Sequence, residues 1–339
     1  MQAFRFVACS LSFSLLAAAQ AIPTPIVNDD QTEMDSQPVR AFFVSVRDAL
    51  NREDFDQLEQ IATSARAEKS RFTGGDWQLR SFYAVIQGPG RLTAPDATWI
   101  HHIERLERWA TAKPDSITPR VAIGSAYTRY AWKARGNGFA NTVTADGWAL
   151  FKERIENARL ALEQAESLSM KDPQLYNALQ VVALAQNWGR PQMDQLVQQG
   201  MALEPQYFYF YIAETNFLMP KWHGQPGDAE NFAQSAADRV GGAEGDFIYF
   251  RIAAGENCCR STQLPNLSWE RVKRGFAALE QLHGSTNHQR NVAAYMAIAH
   301  HDREFAQQLF ARIGTDWDAA VWGSKEKFDA GKTTLSAAN

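Results

Sequence analysis

Cysteine is scarce in this chain, with three in 339 residues, so no disulfide framework can hold the fold. Long apolar runs are also missing. The longest, Phe6 to Ala18, is too short to span a bilayer as a helix. No run of five like charges occurs and the formal net charge is only -4, which excludes a nucleic-acid footprint and a polybasic membrane surface. Catalytic signatures are absent as well: there is no H-E-x-x-H, no G-x-S-x-G, and no glycine loop that follows a strand and opens a helix. No segment alternates apolar and polar residues long enough to make a convincing strand.

What remains is a chain with 45% hydrophobic and 21% charged residues, enough to bury a sizeable core. Arg5, the apolar run and Ala19-Gln20-Ala21 have the order of a secretory signal peptide over residues 1–21. The expected localisation is therefore extracytoplasmic, in the periplasm. Cys9 lies inside the apolar run, which leaves Cys258 and Cys259 as the cysteines of the processed chain. Adjacent Cα atoms are closer than a disulfide normally spans, so this pair reads as two thiols or as one strained vicinal bond.

Residues 22–37 carry two prolines and few apolar side chains, and read as a flexible linker. Helical spacing then dominates. Val39, Phe42, Phe43, Val46 and Leu50, followed by Phe55, Leu58, Ile61, Ala62 and Ala65, predict a helix hairpin. Trp77 to Ile86, the Trp99 to Trp109 stripe and Ile117 to Arg135 predict three more helices. Thr144 is placed to cap a helix striped by Phe151, Ile155, Ala158, Leu162, Ala165 and Leu168. The similar segments M-K-D-P-Q and A-L-E-P-Q then recur 32 residues apart by their prolines, close to the ~34 residues of a tetratricopeptide unit. Tyr207 to Met219 has no polar face and reads as a helix buried on most sides. Asp302 is a candidate N-cap for the helix over Phe305 to Ile313. The expected fold is all-α: a tetratricopeptide-like helical repeat over residues 38–323, a right-handed α-solenoid of antiparallel helix hairpins, open and elongated. Residues 324–339 are expected to be a polar, frayed tail.

At Tyr130 to Phe151, Y-A-W-K-A-R-G-N-G-F-A-N-T-V-T-A-D-G-W-A-L-F, the chain resembles the bacterial domain of unknown function 4034 family. Three further stretches agree: Phe55 to Glu59 with Phe72 to Leu79, Leu218 to Asp228, and Asn291 to Gly314 with Trp322. The resemblance implies a tetratricopeptide-like helical fold and no assigned activity, and it carries over no catalytic residue, metal or cofactor.

Several constellations bear on chemistry. His300-His301-Asp302 and His101-His102 have adjacent rather than i, i+3 or i, i+4 spacing, which favours a capped helix turn over a metal site. Glu214, among Tyr209, Tyr211 and Phe217, fits either a satisfied buried glutamate or the acid of an aromatic cleft, with Asp228 or Glu230 as the second carboxylate of an all-α carbohydrate-active enzyme. Aromatics and cations alternate so closely over Tyr127 to Arg135 that one helix is not expected to bury them all. Tyr130, Trp132 and Arg135, with Tyr209, Tyr211 and Trp222, are the expected lining of a binding groove. A plain tie from Arg135 to the Gly136–Gly138 loop is the alternative. The expected function is binding of a protein or peptide partner, without evident catalysis.

Overall fold

The computed structural model describes residues 36–136, 138, 140–257 and 264–334. The segment expected to be a signal peptide, residues 1–21, most of the expected linker and the Cys258-Cys259 pair lie outside the described residues. Within them the chain is all-α, a helical repeat of successive neighbour-packed helices. Its elements are α1 (Gln37–Asn51), α2 (Phe55–Glu68), α3 (Gln78–Ile86), α4 (Asp96–Ala112), α5 (Thr118–Arg135), α6 (Ala145–Glu166), α7 (Pro173–Ala185), α8 (Arg190–Leu203), α9 (Tyr209–Phe217), α10 (Asp228–Val240), α11 (Gly242–Asn257), α12 (Trp269–His283), α13 (Asn287–Ala299), α14 (Arg303–Ile313), α15 (Ala319–Trp322) and α16 (Lys325–Thr334).

Caps fix most of these boundaries. Thr144 Oγ1 accepts from the Gly147 amide at 3.0 Å and Asp302 Oδ1 from the Phe305 amide at 3.1 Å, both where the sequence placed them. Thr286 and Gln289 form a reciprocal capping box at the start of α13. Proline occupies the first turn of α1, α5, α7 and α8, where a missing N–H costs nothing. The core is continuous and rich in large rings. Trp77, Trp99 and Trp109 are fully covered, as are Tyr207, Phe208 and Phe210 before and within α9.

Two expectations fail. Residues after Gly323 are not a frayed tail through their first ten positions. Instead α16 buries Phe328 against Phe310 and Trp322 at ring distances of 5.2 and 5.4 Å, because one aromatic in an otherwise polar segment is enough to dock a helix onto an apolar corner. Nor is the array open. The connector between α2 and α3, residues 69–77, reaches across to α9, α11, α12 and α13, joining groups up to 215 positions apart in sequence. Periodicity reports which face of a helix is buried and is silent on which distant helix covers it.

Candidate functional site

The connector starts where Lys69 turns left-handed (φ 54°) and folds back on itself, with an isolated bridge between Arg71 and Trp77. Phe72 N–H donates to Asp76 O at 2.8 Å and Gly75 N–H to Phe72 O at 3.0 Å. Gly75 has φ 86°, and a Cβ there would stand 2.5 Å from the Phe247 ring, so glycine is required for both conformation and space.

Charged groups then lock the connector to the second half of the chain. Arg71 donates to Glu244 Oε1 at 2.6 Å and to Gln206 Oε1 at 3.2 Å, and its guanidinium lies 4.7 Å from the Trp77 ring centre. Burial alone would raise the Glu244 pKa, but His283 and Arg71 hold it below the usual glutamate value. Asp76 accepts from Tyr209 Oη at 2.9 Å and from Arg251 Nη2 at 2.8 Å. Burial, then the Asp76 charge, push the Tyr209 phenol well above its ordinary range, so it stays a donor. The Gly74 carbonyl accepts from both Arg251, at 3.2 Å, and Gln289, at 2.8 Å. One short segment of chain thereby holds four later helices, α9, α11, α12 and α13.

A cavity of about 470 Å³ lies along this seam. One wall is Ser36, Val39 and Phe43 at the start of α1; the connector supplies Phe72, Thr73 and Asp76. The opposite wall is Thr286, Asn287 and His288 at the start of α13 together with Asp316 to Ala319 ahead of α15. His288 Nδ1 is 2.7 Å from Asp318 Oδ2, while Asp318 Oδ1 accepts from the amides of Ala320 and Val321. Burial works to raise the Asp318 pKa, yet the hydrogen bond and charge of His288 and these amides bring it below the usual value. The carboxylate therefore accepts from His288 Nδ1–H, which leaves the imidazole Nε2 as the group available at the wall. Asn287 and Asn291 donate to Asp316 O at 2.7 and 3.3 Å and fix this corner. Phe43, Phe72 and Trp317 give the lining its rings, and Asp316 presents an exposed carboxylate at its edge.

None of the six groove residues read from the sequence lines this cavity. Tyr130 (6% exposed) stacks on Trp99 at 5.3 Å and lies under the Arg154 guanidinium at 3.3 Å. Trp132 is buried edge-on against Phe151, and Arg135 is buried beside it. Tyr209 belongs to the connector network, and Tyr211 donates to Pro205 O at 2.6 Å. Trp222 is half-buried in the turn before α10. The six fall into separate clusters around α5 and α9, and five of them are core. The expectation failed because α5 is packed by α3, α4, α6 and α7 together, so none of its residues is fully exposed.

Glu214 is likewise not paired as expected. It is 1% exposed, and its neighbour in charge is Asp194 rather than Asp228 or Glu230. Asp228 accepts instead from Arg190 and from the Gln225 amide. One member of each histidine pair is used in packing: His102 contacts Ile86 O at 2.8 Å, and His300 stacks on Trp269 at 4.6 Å, while His101 and His301 are exposed. Sequence reasoning missed the His288–Asp318 pair, whose members lie 30 positions apart with no shared motif. The only local signal was Asp318 two residues ahead of an amide it caps.

Residues 42–202 match the family described as Domain of unknown function (DUF4034). The Tyr130–Phe151, Phe55–Glu59 and Phe72–Leu79 stretches lie inside that match; Leu218–Asp228 and Asn291–Gly314 lie beyond it. The chain matches no curated protein and no solved structure.

Proposed function

We propose, from the premise that the chain belongs over residues 42–202 to the domain of unknown function 4034 family, that it is an extracytoplasmic peptide-binding protein. It holds a short segment of a partner in the seam cavity. The observation that carries this reading is the cavity itself: a volume within the roughly 300–1,000 Å³ of small-ligand sites, with the rings of Phe43, Phe72 and Trp317 set among mostly polar lining residues such as Asn287, His288, Asp316 and Asp318. Asp316 and Asp318 give its far wall an acidic balance, which suits a basic residue beside an aliphatic or aromatic one.

Two measurements test it. Peptide-library selection on the full chain should enrich Lys or Arg next to an apolar residue, and Asp316→Asn or Trp317→Ala should weaken the selected peptides about tenfold, ~1.4 kcal/mol, without lowering the melting temperature. Selection that is indifferent to both substitutions would remove the cavity from the function. Export is read separately: the full chain should appear in the periplasmic fraction and a chain starting at Ile22 in the cytoplasm.

A further inference from the structure

Arg135 closes α5, is 4% exposed, and uses only one of its nitrogens. Nη1 donates to the carbonyls of Gly136 and Gly138, each at 3.0 Å, so the tie to this loop is real. Nε and Nη2 are buried without a partner, and so is the indole Nε1 of Trp132. The guanidinium sits between two rings, 5.5 Å from the centre of Trp132 and 5.6 Å from that of Trp148. Ring faces favour a cation but accept no N–H in its plane. No acidic side chain balances the charge: burial alone acts on it, in the direction of lowering its pKa. Buried guanidinium groups elsewhere in the molecule are paired, Arg66 with Asp172 and Arg271 with Asp246 and Asp238.

The free edge has a definite chemistry. Nε and Nη2 form the side of the guanidinium that takes a carboxylate with two parallel bonds. Arg108 shows that use within this chain, where Nε donates to one oxygen of Glu53 at 3.0 Å and Nη2 to the other at 2.5 Å. A charged edge left buried and empty is strongly unfavourable, so an orphan of this kind points to an occupant, an ion, a ligand or a water. The surroundings add the same preference. Trp148 stands in the first turn of α6, whose amide end is the positive pole of a 22-residue helix. Trp148 is half-buried, and a Cβ on Gly136 (φ 72°) would meet nothing within 4 Å.

We propose that the Nε/Nη2 edge of Arg135, with the Trp132 indole N–H, is a binding site for a small carboxylate at the α5–α6 turn, separate from the seam cavity. Trp132 and Trp148 flank the ion and exclude water, and the guanidinium supplies both charge and orientation. A free organic acid and the C-terminal carboxylate of a peptide present the same group.

The test follows the Trp132 indole N–H resonance of the ¹⁵N-labelled full chain, assigned with Trp132→Phe. Probes are acetate, N-acetyl-alanyl-alanine and the amide of that peptide, at ionic strength fixed with chloride. A saturable shift with acetate is expected, and a melting temperature that rises with acetate and not with chloride. The peptide acid, if it acts like acetate while its amide does nothing, identifies a chain terminus as the source; acetate acting alone identifies a free acid. Arg135→Lys keeps the charge, loses the fork, and should weaken acetate at least tenfold; Arg135→Gln should abolish the shift. No saturable response, a response shared with chloride, a response to phosphate but not acetate, or an unchanged response in Arg135→Lys would each overturn the assignment and leave water as the occupant of the edge.

Discussion

Asp172 has no exposed surface, yet it accepts four hydrogen bonds from three groups at once. Arg66 donates to it from Nε at 3.0 Å and Nη2 at 2.7 Å, Tyr83 donates its hydroxyl at 2.7 Å, and the Gln174 amide completes the N-cap of α7 at 2.8 Å. Asp172→Asn keeps the shape and one acceptor but strands the Arg66 charge, so it should cost about 3–5 kcal/mol and lower the melting temperature by several degrees in calorimetry. Glu214 is the opposite case, a buried carboxyl with no donor. Burial first, then the nearby Asp194 charge, push its pKa up to about 8, against the smaller pull of Arg190. The folded state therefore keeps a proton that the unfolded chain releases from its ordinary value of 4.5 upward. Stability falls as pH rises from about 4.5 to 8 and is flat beyond either end. Glu214→Gln removes that slope: melting curves between pH 5 and 8.5 should converge with wild type at low pH and exceed it at high pH, and parallel curves would refute the assignment. The sequence showed that Glu214 stood among aromatics; it did not show Asp194, because a partner one helix away leaves no trace in local spacing.

Among elements, the legible ones were those whose start and stop are chemical. Thr144, Asp302 and the prolines near α5, α7 and α8 told the chain where to turn, and the observed helices begin there. Burial of α5 was not legible, since an aromatic and cationic stripe that looks amphipathic in isolation is enclosed once four helices surround it. The same limit hid α16, whose polar composition outweighs Phe328 in any window average. Phe328→Ala should destabilise the protein by about 3 kcal/mol, the usual cost of emptying a buried aromatic site, and should speed amide exchange in α16 and α14 before other helices respond. A chain in which that substitution changes neither would place α16 outside the cooperative fold.

For the whole molecule, the repeat pattern fixed the class, and the connector fixes the closure. Asp76 shows how far the coupling extends, because its partners Tyr209 and Arg251 lie 133 and 175 positions downstream. Asp76→Asn should raise amide exchange in α11 and α13 by about tenfold or more, equivalent to ~1.4 kcal/mol, even though neither helix is altered. Changes confined to α2 and α3 would mean that the two halves open independently. The connector also orders events in time. Gly74 finds Gln289 only when 215 more residues have been made, and at about 5–20 residues per second that interval is roughly 10–40 s. Through the first part of it, until Gln206 and Tyr209 are made, the charges of Arg71 and Asp76 have none of their later partners. A repeat protein is usually imagined to grow stable unit by unit from its first hairpin; here the connector that follows the first hairpin gains its full set of partners only when α13 has been made.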